Sequence, residues 1–94
     1  AKAVMIHLTG TLAVELARHK IRVNAIAPGY VVTDINRDLL EGEVGAKLVK
    51  RVPMRRFATL ADLDGPLLLL ASAAGGYMTG SVVTVDGGMS LSAL

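Results

Sequence analysis

Apolar residues recur every four positions at Val4, Leu8, Leu12 and Leu16, a spacing that places them on one face of an α-helix. A second line of mostly small residues, Ala3, Ile6, Gly10, Ala13 and Ala17, runs beside the first. The pattern predicts a helix over residues 3–19 that is apolar on two sides and so buried on two sides. Gly10 costs such a helix about 1 kcal/mol relative to Ala, which close approach of another backbone would offset. Arg18, His19 and Lys20 put positive charge in the last turn, where the helix dipole favours it.

The period then changes to that of a strand over residues 21–27, and Pro28 stops it. Thr33 or Asp34 is placed to cap a short helix ending at Leu40, Gly42 and Gly45 interrupt, and residues 46–52 suit another short helical piece. This predicts a loop-like, mobile middle. Thr59 and Asp62 have the spacing of a capping box ahead of Leu60, Leu63, Leu67, Leu68 and Leu70, which predicts a buried helix over residues 60–73. Gly75-Gly76 ends it, and residues 81–85 form a β-branched strand closed by Asp86-Gly87-Gly88. Strand, helical crossover and strand imply a parallel βαβ unit, whose two faces both need cover. Two strands cannot make such a sheet stable, so the apolar excess calls for neighbours outside these 94 residues.

Composition narrows the function. Hydrophobic residues make up 52% of the chain but include one Phe, two Tyr and no Trp, so Ala, Val, Leu and Ile supply the apolar area and no aromatic platform for bases exists. A net charge of +2, spread from Lys2 to Arg56, argues against nucleic-acid binding. Without cysteine there is neither a disulfide nor a thiolate metal site, and His7 and His19 lack ligand spacing, so no metal is expected. The apolar run of residues 66–74 is far shorter than the roughly 20 needed to cross a bilayer. No membrane span is expected, and the default location is cytoplasmic.

Four segments carry candidate chemistry. Lys2 opens the first helix ahead of Leu8-Thr9-Gly10-Thr11-Leu12-Ala13. Asn24-Ala25-Ile26-Ala27-Pro28-Gly29 runs a strand into a turn, with Thr33 four residues beyond Gly29. Taken alone, Pro-Gly only turns the chain and Thr33 only caps a helix. Val52-Pro53-Met54-Arg55-Arg56-Phe57-Ala58-Thr59 leads into the later helix, where Arg56 reads as a structural clamp. Met78-Thr79-Gly80-Ser81-Val82-Val83-Thr84-Val85-Asp86-Gly87-Gly88 closes the pattern, with Asp86 in ordinary turn chemistry.

In this order and spacing, the four segments resemble the C-terminal part of the catalytic domain of short-chain dehydrogenases/reductases over nearly the whole chain. Ala58 stands where that family usually has Gly, and Leu60-Ala61 where Pro-Glu is common. The resemblance implies an α/β fold, the C-terminal portion of a doubly wound parallel-sheet Rossmann fold. Residues 1–94 would be one part of a single domain whose N-terminal nucleotide-binding part is absent from the sequence. It implies an oxidoreductase that moves hydride between NAD or NADP and an alcohol/ketone substrate of sugar-acid, polyol or 3-oxoacyl type. Lys2 matches the lysine of Tyr-x-x-x-Lys, which holds the nicotinamide ribose and lowers the tyrosine pKa. Pro28, Gly29, Val31 and Thr33 match the segment beneath the nicotinamide, with the Val31 backbone and Thr33 hydroxyl on the carboxamide, and Tyr30 borders substrate.

The glycine-rich turn, the residue choosing NAD or NADP, and the catalytic Ser and Tyr are not among these residues, so the 94 alone are expected to be inactive. The resemblance also implies a homo-oligomer, a tetramer, with the first helix across a twofold interface. The alternative is a truncated, non-catalytic interaction module of the same ancestry.

Overall fold

The computed structural model describes residues 2–92. Helix α1 spans Lys2–Leu16 and a 3₁₀ turn, Ala17–His19, carries it to the predicted end. Lys20 then adopts a left-handed conformation (φ 61°), and its N–H closes on the Ala17 carbonyl at 2.9 Å. Strand β1, Ala25–Pro28, starts later than the pattern predicts. Side chains are the reason. Val23 N–H donates to Thr79 Oγ1 (3.1 Å), Asn24 Nδ2 donates to the Met78 carbonyl (3.0 Å), and Asn24 Oδ1 accepts from Ser81 N–H (3.0 Å). Asn24 thus makes with its amide the bonds that a strand makes with its backbone.

Strand β2, Val82–Val85, pairs with β1 in a two-stranded sheet. Ala25 N–H donates to Ser81 (2.9 Å) and Gly29 N–H to Val85 (3.0 Å), a constant offset that makes the pair parallel. Between the strands lie α2 (Arg37–Leu40), α3 (Glu43–Leu48) and α4 (Asp64–Ala71). A 3₁₀ turn, Leu60–Leu63, leads into α4 behind the expected Thr59/Asp62 box, in which Thr59 N–H donates to Asp62 Oδ2 at 2.8 Å. Pro66 falls in the first turn of α4, where a missing N–H costs least.

The chain forms two compact units. The first joins the residues up to Ala27 with Gly65–Thr84. In it Thr9 and Ala13 of α1 are buried, and the small Ala13 lets the turn at Gly80 (φ 78°) approach closely. The expected two-sided burial of α1 and burial of α4 are not met. Val4, Leu8 and Val14 are 66%, 55% and 82% exposed, Leu67 and Leu68 are 56% and 67% exposed, and among the described residues no atom beyond the local helix backbone lies within 4 Å of where a Gly10 Cβ would stand. Two strands supply too little sheet to cover both helices.

The second unit joins Pro28–Asp64 with the residues from Val85 onward. Its core is built on Leu40 and Val52; α2 ends at Leu40 as expected, and α3 starts at Glu43, earlier than the expected helical piece. Gly45 lies inside α3 instead of interrupting it, and the Leu40 carbonyl oxygen occupies the place where a Cβ would stand. Gly87 and Gly88 are left-handed (φ 63° and 90°), and the Asp86 carboxylate accepts from Gly88 N–H and Ser90 N–H, each at 2.9 Å. Asp86 therefore holds a turn, as expected.

Candidate functional site

Pro28 ends β1, and the chain leaves the carboxyl end of that strand through Gly29, Tyr30 and Val31, the place where open α/β sheets bind ligands. Gly29 is required by its neighbour in the second unit: a Cβ would meet Asp86 Cβ at 2.9 Å. A single parallel bridge then pairs Val31 with Ala58. Ala58 N–H donates to the Tyr30 carbonyl and Val32 N–H to the Ala58 carbonyl, both at 2.9 Å. In this geometry the Val31 N–H points away from the bridge.

Thr33 and Asp34 do not cap α2, contrary to the sequence expectation. Asn36 precedes α2, and its side chain turns back onto the loop instead of onto the helix. Its Oδ1 accepts from Thr33 N–H at 2.7 Å, and its Nδ2 donates to the Val31 carbonyl at 2.8 Å. The Val31 N–H and the Thr33 hydroxyl make no hydrogen bond among the described residues. These two groups, a donor and a donor/acceptor separated by one residue, fit a carboxamide. Sequence reasoning missed the role of Asn36; its one available signal was an amide three residues after Thr33.

Tyr30 packs edge-on against Phe57, ring centroids 5.8 Å apart. It lines a cavity of about 230 Å³ with Val52, Met54, Arg56, Val85 and Asp86. Arg56 is a clamp, as its place in the sequence suggests: its guanidinium donates to both Asp62 oxygens, at 2.9 and 3.2 Å. The Arg56 hydrogen bond, aided by Thr59 N–H, holds the Asp62 carboxyl well below the usual carboxylate range, and Asp62 in turn raises the Arg56 pKa.

Lys2 belongs to the first unit, at the start of α1, where its exposed Nζ donates to Thr84 Oγ1 at 3.3 Å. Pro28, Gly29, Tyr30, Val31 and Thr33 come together on one loop of the second unit. Among the described residues no His, Asp or Glu cluster could hold a metal ion, and no helix is long and apolar enough to cross a membrane.

A protein-family model described as enoyl-(acyl carrier protein) reductase matches residues 1–90. The D-arabinitol 2-dehydrogenase [ribulose-forming] of Candida albicans is 41% identical over 91 residues, covering 94% of this chain and 32% of that protein. A gluconate 5-dehydrogenase from Burkholderia cenocepacia, solved with NADP and tartrate, superposes with a TM-score of 0.86 at 35% identity, covering 97% of this chain and 36% of that one. A solved chain from Haemophilus influenza with bound NAD gives 0.86 at 36% identity, over 98% and 35% of the two chains. The chain spans about a third of the length of the curated relatives it matches.

Proposed function

The chain belongs to the short-chain dehydrogenase/reductase family, and from that membership we propose that it serves an oxidoreductase moving hydride between NAD or NADP and an alcohol/ketone pair of the polyol or sugar-acid class. In this reading it is the C-terminal part of one Rossmann-type domain. The observation that carries the proposal is the loop beyond β1, where the Val31 N–H and Thr33 hydroxyl stay unpaired at the carboxyl end of a parallel strand. The relatives' names, a polyol dehydrogenase and a gluconate dehydrogenase, support the substrate class.

The nicotinamide, when bound, supplies the hydride donor or acceptor. The residues of this chain bind and orient it. Val31 N–H donates to the carboxamide oxygen, the Thr33 hydroxyl pairs with the carboxamide nitrogen, and the Lys2 ammonium donates to the ribose. Pro28 and Gly29 bring that backbone to the strand end, and Tyr30 borders the substrate. A fixed nicotinamide face presents hydride transfer with the orientation already set.

The proposal extends to a cytoplasmic homo-oligomer, a tetramer, supported by the exposed apolar side chains Val4, Ile6, Leu8 and Val14 of α1. Reduced-nicotinamide absorbance, followed with a panel of pentitols, hexitols and aldonic acids, tests the function in the protein that carries this chain. Turnover of at least one class with NAD or NADP is expected. No turnover together with no cofactor binding would overturn it in favour of a non-catalytic interaction module.

A further inference from the structure

We infer that Asn36 is a positioning residue for the nicotinamide carboxamide, acting through Val31 and Thr33; the inference rests on the function proposed above. Asn36 stands at the start of α2, where an Asn side chain ordinarily caps the helix. Here it makes no cap bond. Its amide instead ties both ends of the 31–33 arc, accepting from Thr33 N–H at 2.7 Å and donating to the Val31 carbonyl at 2.8 Å. The middle residue is fixed from the other side by Val32 N–H on the Ala58 carbonyl, at 2.9 Å.

Each residue of the arc therefore has one anchor. The bonds consume the Val31 carbonyl and the Thr33 amide, and leave the Val31 N–H and Thr33 hydroxyl for a ligand. Both ties need a side chain that carries a donor and an acceptor. Leu has the volume and neither bond. Asp keeps the acceptor for Thr33 but sets a negative charge beside the Val31 carbonyl.

The test compares two ligands on the protein that carries this chain: the reduced cofactor it prefers, NADH or NADPH, and the matching ADP-ribose or its 2′-phosphate, which lacks nicotinamide. Asn36→Leu is expected to weaken the reduced cofactor about tenfold, the scale of two lost neutral hydrogen bonds partly compensated by water, and to leave the ADP-ribose ligand within about twofold. Asn36→Asp should show the same selective loss and carries the test if Asn36→Leu does not fold. Equal weakening of both ligands, or no change in either, would overturn the inference by making Asn36 a general structural residue or an idle one. Thr33→Val separates the underlying reading: if it leaves the wild-type preference for reduced cofactor over ADP-ribose intact, the carboxamide site itself is wrong, and Asn36 with it.

Discussion

Lys2 and Thr33 hold the single-residue chemistry of the proposal, and each has its own signature. Replacing the Lys2 ammonium by Lys2→Ala is expected to lower kcat/KM by about 10²–10⁴, the range of the general acid–base catalysis that its charge would support by lowering the pKa of a neighbouring phenol; near-normal steady-state rates would remove it from the mechanism. Asp62 offers a test by pH. Its carboxyl is held well below the usual carboxylate range by the Arg56 guanidinium and Thr59 N–H, so its stabilising effect is present above the ordinary carboxylate pKa. That effect is lost only as pH falls through the lowered native value. The difference in thermal midpoint between wild type and Asp62→Asn should therefore persist through mildly acidic buffers and close in strong acid. A gap that closes near neutral pH would contradict the assignment. Arg56 and Asp62 were legible in the sequence because a clamp and a capping box are local patterns. Asn36 was not: the sequence placed the cap at Thr33 or Asp34, and only the structure shows the Asn36 side chain turned back on Val31 and Thr33.

Two glycines inside helices have opposite surroundings. Gly45 is buried, with the Leu40 carbonyl where its Cβ would stand. Gly45→Ala forces α2 and α3 apart and is expected to destabilise by about 1–3 kcal/mol, the cost of overpacking, measured by denaturant unfolding. Among the described residues, no atom beyond the local helix backbone lies within 4 Å of the would-be Cβ of Gly10. If α1 meets a second subunit along Ala3, Ile6 and Gly10, Gly10→Ala should weaken assembly in sedimentation at falling concentration, despite a gain of about 1 kcal/mol in helix propensity. Unchanged assembly would take that line of α1 out of the interface. The existence of α1, α4 and β2 followed from periodicity. The late start of β1 and the helix through Gly45 did not, since they depend on long-range bonds from Asn24 and on one tight contact at Leu40.

At the scale of the whole molecule, α/β class and parallel pairing were readable from the order of elements, and the four motifs identified the family. Burial was not readable. The same periodicity that marks Val4, Leu8, Leu67 and Leu68 as inward-facing holds whether or not the covering layer lies within these 94 residues, and here those side chains are more than half exposed. At about 25 cal/mol per Å² of apolar surface, such faces favour association strongly, which is why a partner layer belongs to the proposal. The central claim is that Lys2 and the Pro28–Thr33 loop serve one nicotinamide cofactor. A crystal structure of the protein that carries this chain, with NAD or NADP bound, tests it most directly. The expected result places the carboxamide within hydrogen-bonding distance of Val31 N and Thr33 Oγ1, with Lys2 Nζ on the ribose; a cofactor bound with its nicotinamide away from both Lys2 and Thr33 would contradict it.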